Sequence, residues 1–316
     1  MSKHLVDPEL LDLLDLIPTI SLNEEILPAL RANGIPFPMD PRAAEAVKVS
    51  ERKIPGPPGA PDVGVLIYTP HSGDGQLPCI FHIHGGGYVR GSASELSPVH
   101  CKLALEANCA IVSVDYRLAP ETRFPGAIED CYAALRWVFD NAHEIGIDVS
   151  RIGVMGESAG GGLAAALALL VRDRGEYKLS FQHLIYPMLD DRTCITVDPH
   201  PHAGHFIWTP QSNVFGWSSI LGVPPGSIDV SPYAAAARAE DLTGLPPTFI
   251  ATGALDLFLE EDMEYARRLM RQGVAVELHV YPGAYHVFNI SPSAHIAANA
   301  RRDSLVALKR ALYTPG

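Results

Sequence analysis

Apolar residues enter this chain in short bursts with two different periods. Eight runs read as strands: Ala46–Ile54, Val63–Pro70, Cys79–His84, Ala110–Asp115, Ile152–Gly156, Phe181–Tyr186, Thr248–Gly253 and Val276–Tyr281. Several lack polar alternation. Ala110-Ile111-Val112-Ser113-Val114 is almost continuous, as expected for a strand covered on both faces of a parallel sheet. Between the later runs, apolar positions recur at helical spacing over Ser94–Asn108, Ala127–His143, Ala159–Arg174, Leu259–Gln272 and Pro292–Leu312. Strand and helix in alternation predict βαβ units, hence an α/β chain with a mostly parallel eight-stranded sheet flanked by helices. The first two runs have only Pro55-Gly56-Pro57-Pro58-Gly59 between them, so they should form an antiparallel hairpin at one edge.

Two segments break the rhythm. Residues 1–45 carry two short helical patterns, separated by Pro18 and Pro28 and closed by Ile35-Pro36-Phe37-Pro38. Residues 190–232 follow a core strand and hold Trp208, Phe215, Trp217 and Ile220 at helix-compatible spacing. An insertion after a strand's carboxyl end lies over the side of such a sheet where ligands bind. Either the two segments form a lid, or they are peripheral packing. The remaining core is expected over 46–189 and 233–316.

Composition narrows the function. With 316 residues, 47% of them hydrophobic and 19% charged, the chain can bury a large core and is not of disordered type. A formal net charge of −12 argues against nucleic acid or an anionic membrane as partner, since phosphate recognition needs clustered Lys and Arg. The densest cationic stretch, Arg267, Arg268 and Arg271, follows Glu260, Glu261 and Asp262, and the group reads as a solvated helix face. Cys79, Cys101, Cys109, Cys131 and Cys194 are odd in number and lack CxxC spacing, which favours buried thiols over a disulfide framework or zinc site. No basic start followed by an apolar signal core opens the sequence, and no run reaches the roughly 18 apolar residues that span a bilayer. A cytoplasmic protein is expected.

The strongest chemical signal is Gly156-Glu157-Ser158-Ala159-Gly160. It follows an apolar strand and opens an Ala-rich helix, the strand-turn-helix context that a nucleophile elbow requires. Only small residues fit beside so tight a turn, and the helix N-terminus favours developing negative charge at Ser158. A serine hydroxyl needs a base to remove its proton. His286 lies in Pro282-Gly283-Ala284-Tyr285-His286-Val287-Phe288, after the last strand run and before the final helix. An orienting carboxylate should follow the penultimate strand, where Asp256 stands three residues beyond Thr248–Gly253. Glu260, Glu261 and Asp262 compete but fall on the next helix. His84-Gly85-Gly86-Gly87-Tyr88 ends another strand; consecutive glycines let backbone N–H groups approach an oxyanion, together with that of Ala159. No G-K-[ST] follows to hold a nucleotide. His200, His202 and His205 lie close in sequence, but among prolines and glycine, and no second ligand cluster completes them, so no metal is expected.

His84-Gly85-Gly86-Gly87, Tyr116-Arg117-Leu118-Ala119-Pro120-Glu121, Gly156-Glu157-Ser158-Ala159-Gly160-Gly161 and the Asp256/His286 pair together resemble the hormone-sensitive-lipase family, or bacterial family IV esterases, with a looser likeness to members of the bacterial heroin-esterase kind. The resemblance implies the α/β-hydrolase fold with a helical cap made from the N-terminus and the 190–232 insertion. It further implies oxyanion donors among Gly85, Gly86, Gly87 and Ala159, no cofactor, and a homodimer through the edge of the last strand. A small-molecule carboxylic ester is the expected substrate. Tyr88, Trp208, Phe215, Trp217, Leu257 and Val287 are the residues expected around it. Three positions depart from the family pattern: Glu157 for Asp, Asp256-Leu257-Phe258 for D-P-L, and His286-Val287-Phe288 for His-Gly-Phe. None removes a catalytic group. Bulky cap residues and Val287 favour short acyl chains. An amidase, a lactonase or a longer-chain lipase on the same residues stays open, as does a non-catalytic receptor, although a receptor would be expected to have lost one of the three.

Overall fold

In a computed structural model of the chain, which describes residues 2–34, 36–71 and 75–313, all eight strand runs join one sheet. The predicted ends at Met1, Ile35 and 314–316 lie outside the described residues. The strands are β1 (Val47–Ile54), β2 (Val63–Pro70), β3 (Leu77–Ile83), β4 (Ala110–Asp115), β5 (Ile147–Glu157), β6 (Gln182–Ile185), β7 (Thr248–Gly253) and β8 (Val276–Tyr281). Their spatial order is β1-β2-β4-β3-β5-β6-β7-β8. As the sequence predicts, β1 and β2 make an antiparallel hairpin at one edge; β2 also runs antiparallel to β4, and every later pairing is parallel.

Nonalternating strands need cover on both faces. On one face lie α5 (Gly126–Asp140), α6 (Ala159–Arg174) and α8 (Leu259–Arg271), whose apolar residues share a core with Phe81, Val112 and Val154. On the other, α4 (Ser97–Ala107) and α9 (His295–Tyr313) cover Ile80, Ile111 and Met155. Helix α6 is buried from Ala159 to Val171, so its small residues let it settle directly on the sheet. A Cβ on Gly160 would fall 2.1 Å from the Ile83 carbonyl oxygen, so only glycine permits this approach.

The outlying segments are more broken than the sequence pattern suggests. The N-terminal one holds α1 (Leu11–Leu16), α2 (Leu27–Ala32) and an unpredicted α3 (Pro41–Ala46), capped by the Asp40 carboxylate on the Arg42 and Ala43 N–H groups. The insertion carries α7 (Pro210–Leu221). The two meet through Ser212, which accepts from Leu22 N–H at 3.0 Å and donates to the Ile20 carbonyl at 3.0 Å.

One expectation needs correcting. On α8, Glu260 is exposed, but Glu261 and Asp262 are buried, not solvated. Asp262 shares the inward stripe of Tyr265, Ala266 and Leu269, and Glu261 turns toward the loop after β6. Arg268 likewise is half-buried and donates to the Ala237 and Ala239 carbonyls, whereas Arg267 and Arg271 are exposed. No described helix is long and apolar enough to cross a membrane. All five cysteines are free, four of them buried.

Candidate active site

Strand β5 ends at Glu157 and α6 begins at Ala159, leaving Ser158 alone in the turn with φ 56° and ψ −122°. A side chain in that conformation is strained and must be held by its surroundings. The Ser158 N–H donates to the Ile185 carbonyl at 2.9 Å, and its carbonyl accepts from Gly162 and Met188. A Cβ on Gly156 would lie 2.2 Å from the Gly160 carbonyl oxygen, which explains the small residues flanking the serine.

The loops after β7 and β8 deliver the other two groups. His286 Nε2 lies 2.9 Å from Ser158 Oγ, and His286 Nδ1 lies 2.8 Å from Asp256 Oδ2. The second oxygen of Asp256 accepts from the Phe258 N–H at 3.0 Å. Because a carboxylate can only accept, Nδ1 carries the proton and Nε2 is free to accept from the serine hydroxyl. Asp256 is fully buried and His286 nearly so. Around the imidazole stand Tyr186, Phe258 and Trp208, at ring-centroid distances of 4.7, 5.2 and 6.1 Å. None of the competing acids pairs with the imidazole. Glu261 accepts from the Leu189 and Asp190 N–H groups and from the Thr193 hydroxyl, and Asp262 pairs with nothing among the described residues. Burial pushes both of these carboxyls well above the usual range.

The glycine run lies against the elbow. A Cβ on Gly85 would fall 2.8 Å from the Glu157 carbonyl oxygen, and one on Gly87 would fall 2.3 Å from the Trp208 ring. Gly86 and Gly87 have φ of 119° and 62°. Among the described residues, the N–H groups of Gly85, Gly86, Gly87 and Ala159 have no protein acceptor, so they are available to a ligand. His84 braces this loop. It stacks on Tyr116 at 4.2 Å, its Nδ1 bonds the Gly85 carbonyl at 2.8 Å, and burial lowers its pKa to about 4, which keeps it neutral.

Trp208 therefore lies over both the glycine run and His286, its indole N–H fixed by Asn213 at 3.0 Å. Of the other residues expected around the substrate, Phe215, Leu257 and Val287 are half-buried. Tyr88 and Trp217, expected beside the substrate, have almost no free surface; they pack on each other at 5.2 Å, and the Tyr88 hydroxyl donates to the Met188 carbonyl. They support the lining rather than form it. Sequence reasoning missed a buried chain beneath the elbow: Glu157 Oε2 to His82 Nε2 at 2.8 Å, then His82 Nδ1 to Ser113 Oγ at 2.9 Å. His82 and Ser113 are register partners on β3 and β4, a pairing that only the strand order reveals. His200 accepts from the nearby Ala203 N–H, His202 bonds the N-terminal Ser2 Oγ, and no described cluster of His, Cys, Asp and Glu forms a metal-binding group.

Residues 80–290 match the family described as the α/β-hydrolase fold. Carboxylesterase NlhH of Mycobacterium tuberculosis is 36% identical over 98% of this chain and 97% of its own length. Esterase LipI from the same organism is 34% identical with the same coverage of both chains. Among solved structures, a bacterial heroin esterase superposes with a TM-score of 0.91 at 38% identity, covering 99% of this chain and all of that one.

Proposed function

Since the chain belongs to the α/β-hydrolase family and is a serine ester hydrolase of the hormone-sensitive-lipase type, we propose that Ser158 is its nucleophile, His286 its general base and Asp256 the carboxylate that orients the base. The observation that supports this most is the unbroken path from Ser158 Oγ through the imidazole to Asp256, with bonds of 2.9 and 2.8 Å. In the first half-reaction, Nε2 takes the serine proton as Oγ attacks the ester carbonyl. The tetrahedral intermediate then expels the alcohol, which leaves with the proton from Nε2. Water repeats the sequence on the acyl-enzyme and releases the acid. The free N–H groups of Gly86, Gly87 and Ala159, with Gly85 behind them, receive the oxyanion; one such donor contributes about 100- to 1,000-fold in rate. This scheme needs neither metal nor cofactor.

Residues 1–45 and 190–232 act as a cap over the core. The cap sets the substrate class: short acyl esters, about C2 to C6, because Trp208 closes the space above Gly87 and Val287 adds bulk beside His286. A methylene that fits gains about 0.8 kcal/mol, whereas one forced against a packed wall costs about 1–3 kcal/mol. Strand β8 is one edge of the sheet, opposite the β1 edge, and a second copy would pair through it. The test is kcat and kcat/KM for p-nitrophenyl acetate through palmitate, with wild type and Ser158→Ala. The variant should fold normally and lose about 10⁶-fold in kcat. A variant keeping a tenth of the wild-type rate would contradict the nucleophile, and an optimum at C12 or beyond would contradict the short acyl site.

A further inference from the structure

The Gly85–Gly87 loop has a tie that the catalytic scheme does not use. It passes from Gly86 through Gly87 to Tyr88 with φ of 119°, 62° and 66°, and Tyr88, unlike the glycines, is strained there. Within the core, the loop is held by the Ala119 N–H on the Tyr88 carbonyl at 2.9 Å and by the Tyr88 hydroxyl on Met188. A further hold comes from the N-terminal segment. Arg31, on α2, donates from Nε to the Val89 carbonyl at 2.7 Å and from one terminal nitrogen to the Ala119 carbonyl at 2.8 Å. The same fork grips both oxygens of Glu121 at 2.6 and 2.8 Å. Glu121 is largely exposed, and the Arg31 guanidinium holds its carboxyl down to about 2. It therefore serves to orient the fork, while the two carbonyls are the inward targets.

Given the reading of the site above, we propose that Arg31 is a positioning residue for the oxyanion loop, by which the N-terminal segment aims the Gly86 and Gly87 N–H groups at the developing negative charge. Val89 is two residues beyond Gly87, and Ala119 anchors Tyr88 between them, so one guanidinium holds the exit of the strained turn both directly and through Ala119. Only a planar fork spans these acceptors together. Lysine, a single point of charge on a flexible stem, does not. The donors matter most when the carbonyl oxygen becomes an anion, so loosening the loop should cost turnover rather than substrate binding.

The experiment compares wild type, Arg31→Met and Arg31→Lys. It measures kcat and KM on a short p-nitrophenyl ester, and affinity for an aryl trifluoromethyl ketone, which adds Ser158 Oγ and places an oxyanion in the loop, against its methyl ketone counterpart, which stays unadded. Melting curves and active-site titration normalise each rate to folded enzyme. Arg31→Met should lower kcat by about 10- to 100-fold with KM within about three-fold. Trifluoromethyl ketone affinity should fall in step while the methyl ketone is unaffected. Arg31→Lys should recover only a small part, and it carries the same test should Arg31→Met fail to fold. A ratio of the two ketone affinities unchanged from wild type, whether activity per folded enzyme holds or falls, overturns the proposal. Wild-type turnover that survives Ser158→Ala would instead overturn the reading of the site, and the proposal with it.

Discussion

Asp262 stands in the first turn of α8 with no exposed surface, and neither carboxylate oxygen makes a hydrogen bond among the described residues. Burial, and then the charges of Glu261 and Asp256, raise its pKa well above the usual range. The folded protein therefore keeps a proton that the unfolded chain gives up near pH 4. Since the native state binds the extra proton, this group's contribution to stability is complete below that pH and declines as pH rises toward its folded value. The slope is at most about 1.4 kcal/mol per pH unit, reached wherever the native carboxyl holds the proton and the unfolded one has lost it. Asp262→Asn keeps the shape and removes the titration. Urea unfolding of both proteins at pH 5, 6 and 7 should show the variant gaining on wild type with each step. Activity should change less than about three-fold, because Asp262 does not touch Ser158, His286 or the glycine loop. A stability difference that is the same at all three pH values would show that Asp262 is ionised in the fold, and would refute the reasoning.

Four other substitutions probe the triad, its surroundings and the helix–sheet contact. Asp256→Asn should lower kcat by about 10⁴-fold through loss of the correct imidazole tautomer, while Glu260→Gln, fully outside the site, should stay within two-fold in the same steady-state assay. Trp208→Ala should move the acyl-length optimum upward on the p-nitrophenyl series, because it opens the space over Gly87; an unmoved optimum would place the wall elsewhere. Gly160→Ala should cost at least about 1–3 kcal/mol, read as a drop of several degrees in Tm, since the new Cβ meets the Ile83 carbonyl at 2.1 Å.

Where local patterning decides the structure, the sequence could be read almost residue by residue. Strands β2, β4, β7 and β8 and helix α6 begin and end where their apolar runs do. The elbow motif points to Ser158, and position after the last two strands points to Asp256 and His286; the fold brings the three into one hydrogen-bonded chain. Six-residue α3 went unseen, although Asp40-Pro41 is a helix-start signal, because so short a helix shows no periodicity. Asp262 was misjudged by charge although its spacing to Tyr265, Ala266 and Leu269 marks the inward stripe; Glu261 is buried by a loop some 70 residues away, which spacing cannot reveal. His82, Ser113 and Arg31 depend on strand order and on a contact between the N-terminus and the core, so nothing local distinguishes them.

The central claim is that Ser158 forms the covalent bond. Incubating the protein with one equivalent of diethyl p-nitrophenyl phosphate and mapping the adduct by peptide mass spectrometry tests it directly. A single diethylphosphoryl group should form on Ser158, in step with the loss of esterase activity, and be absent from Ser158→Ala. An adduct on another residue, or full activity in a protein modified stoichiometrically at Ser158, would contradict the claim.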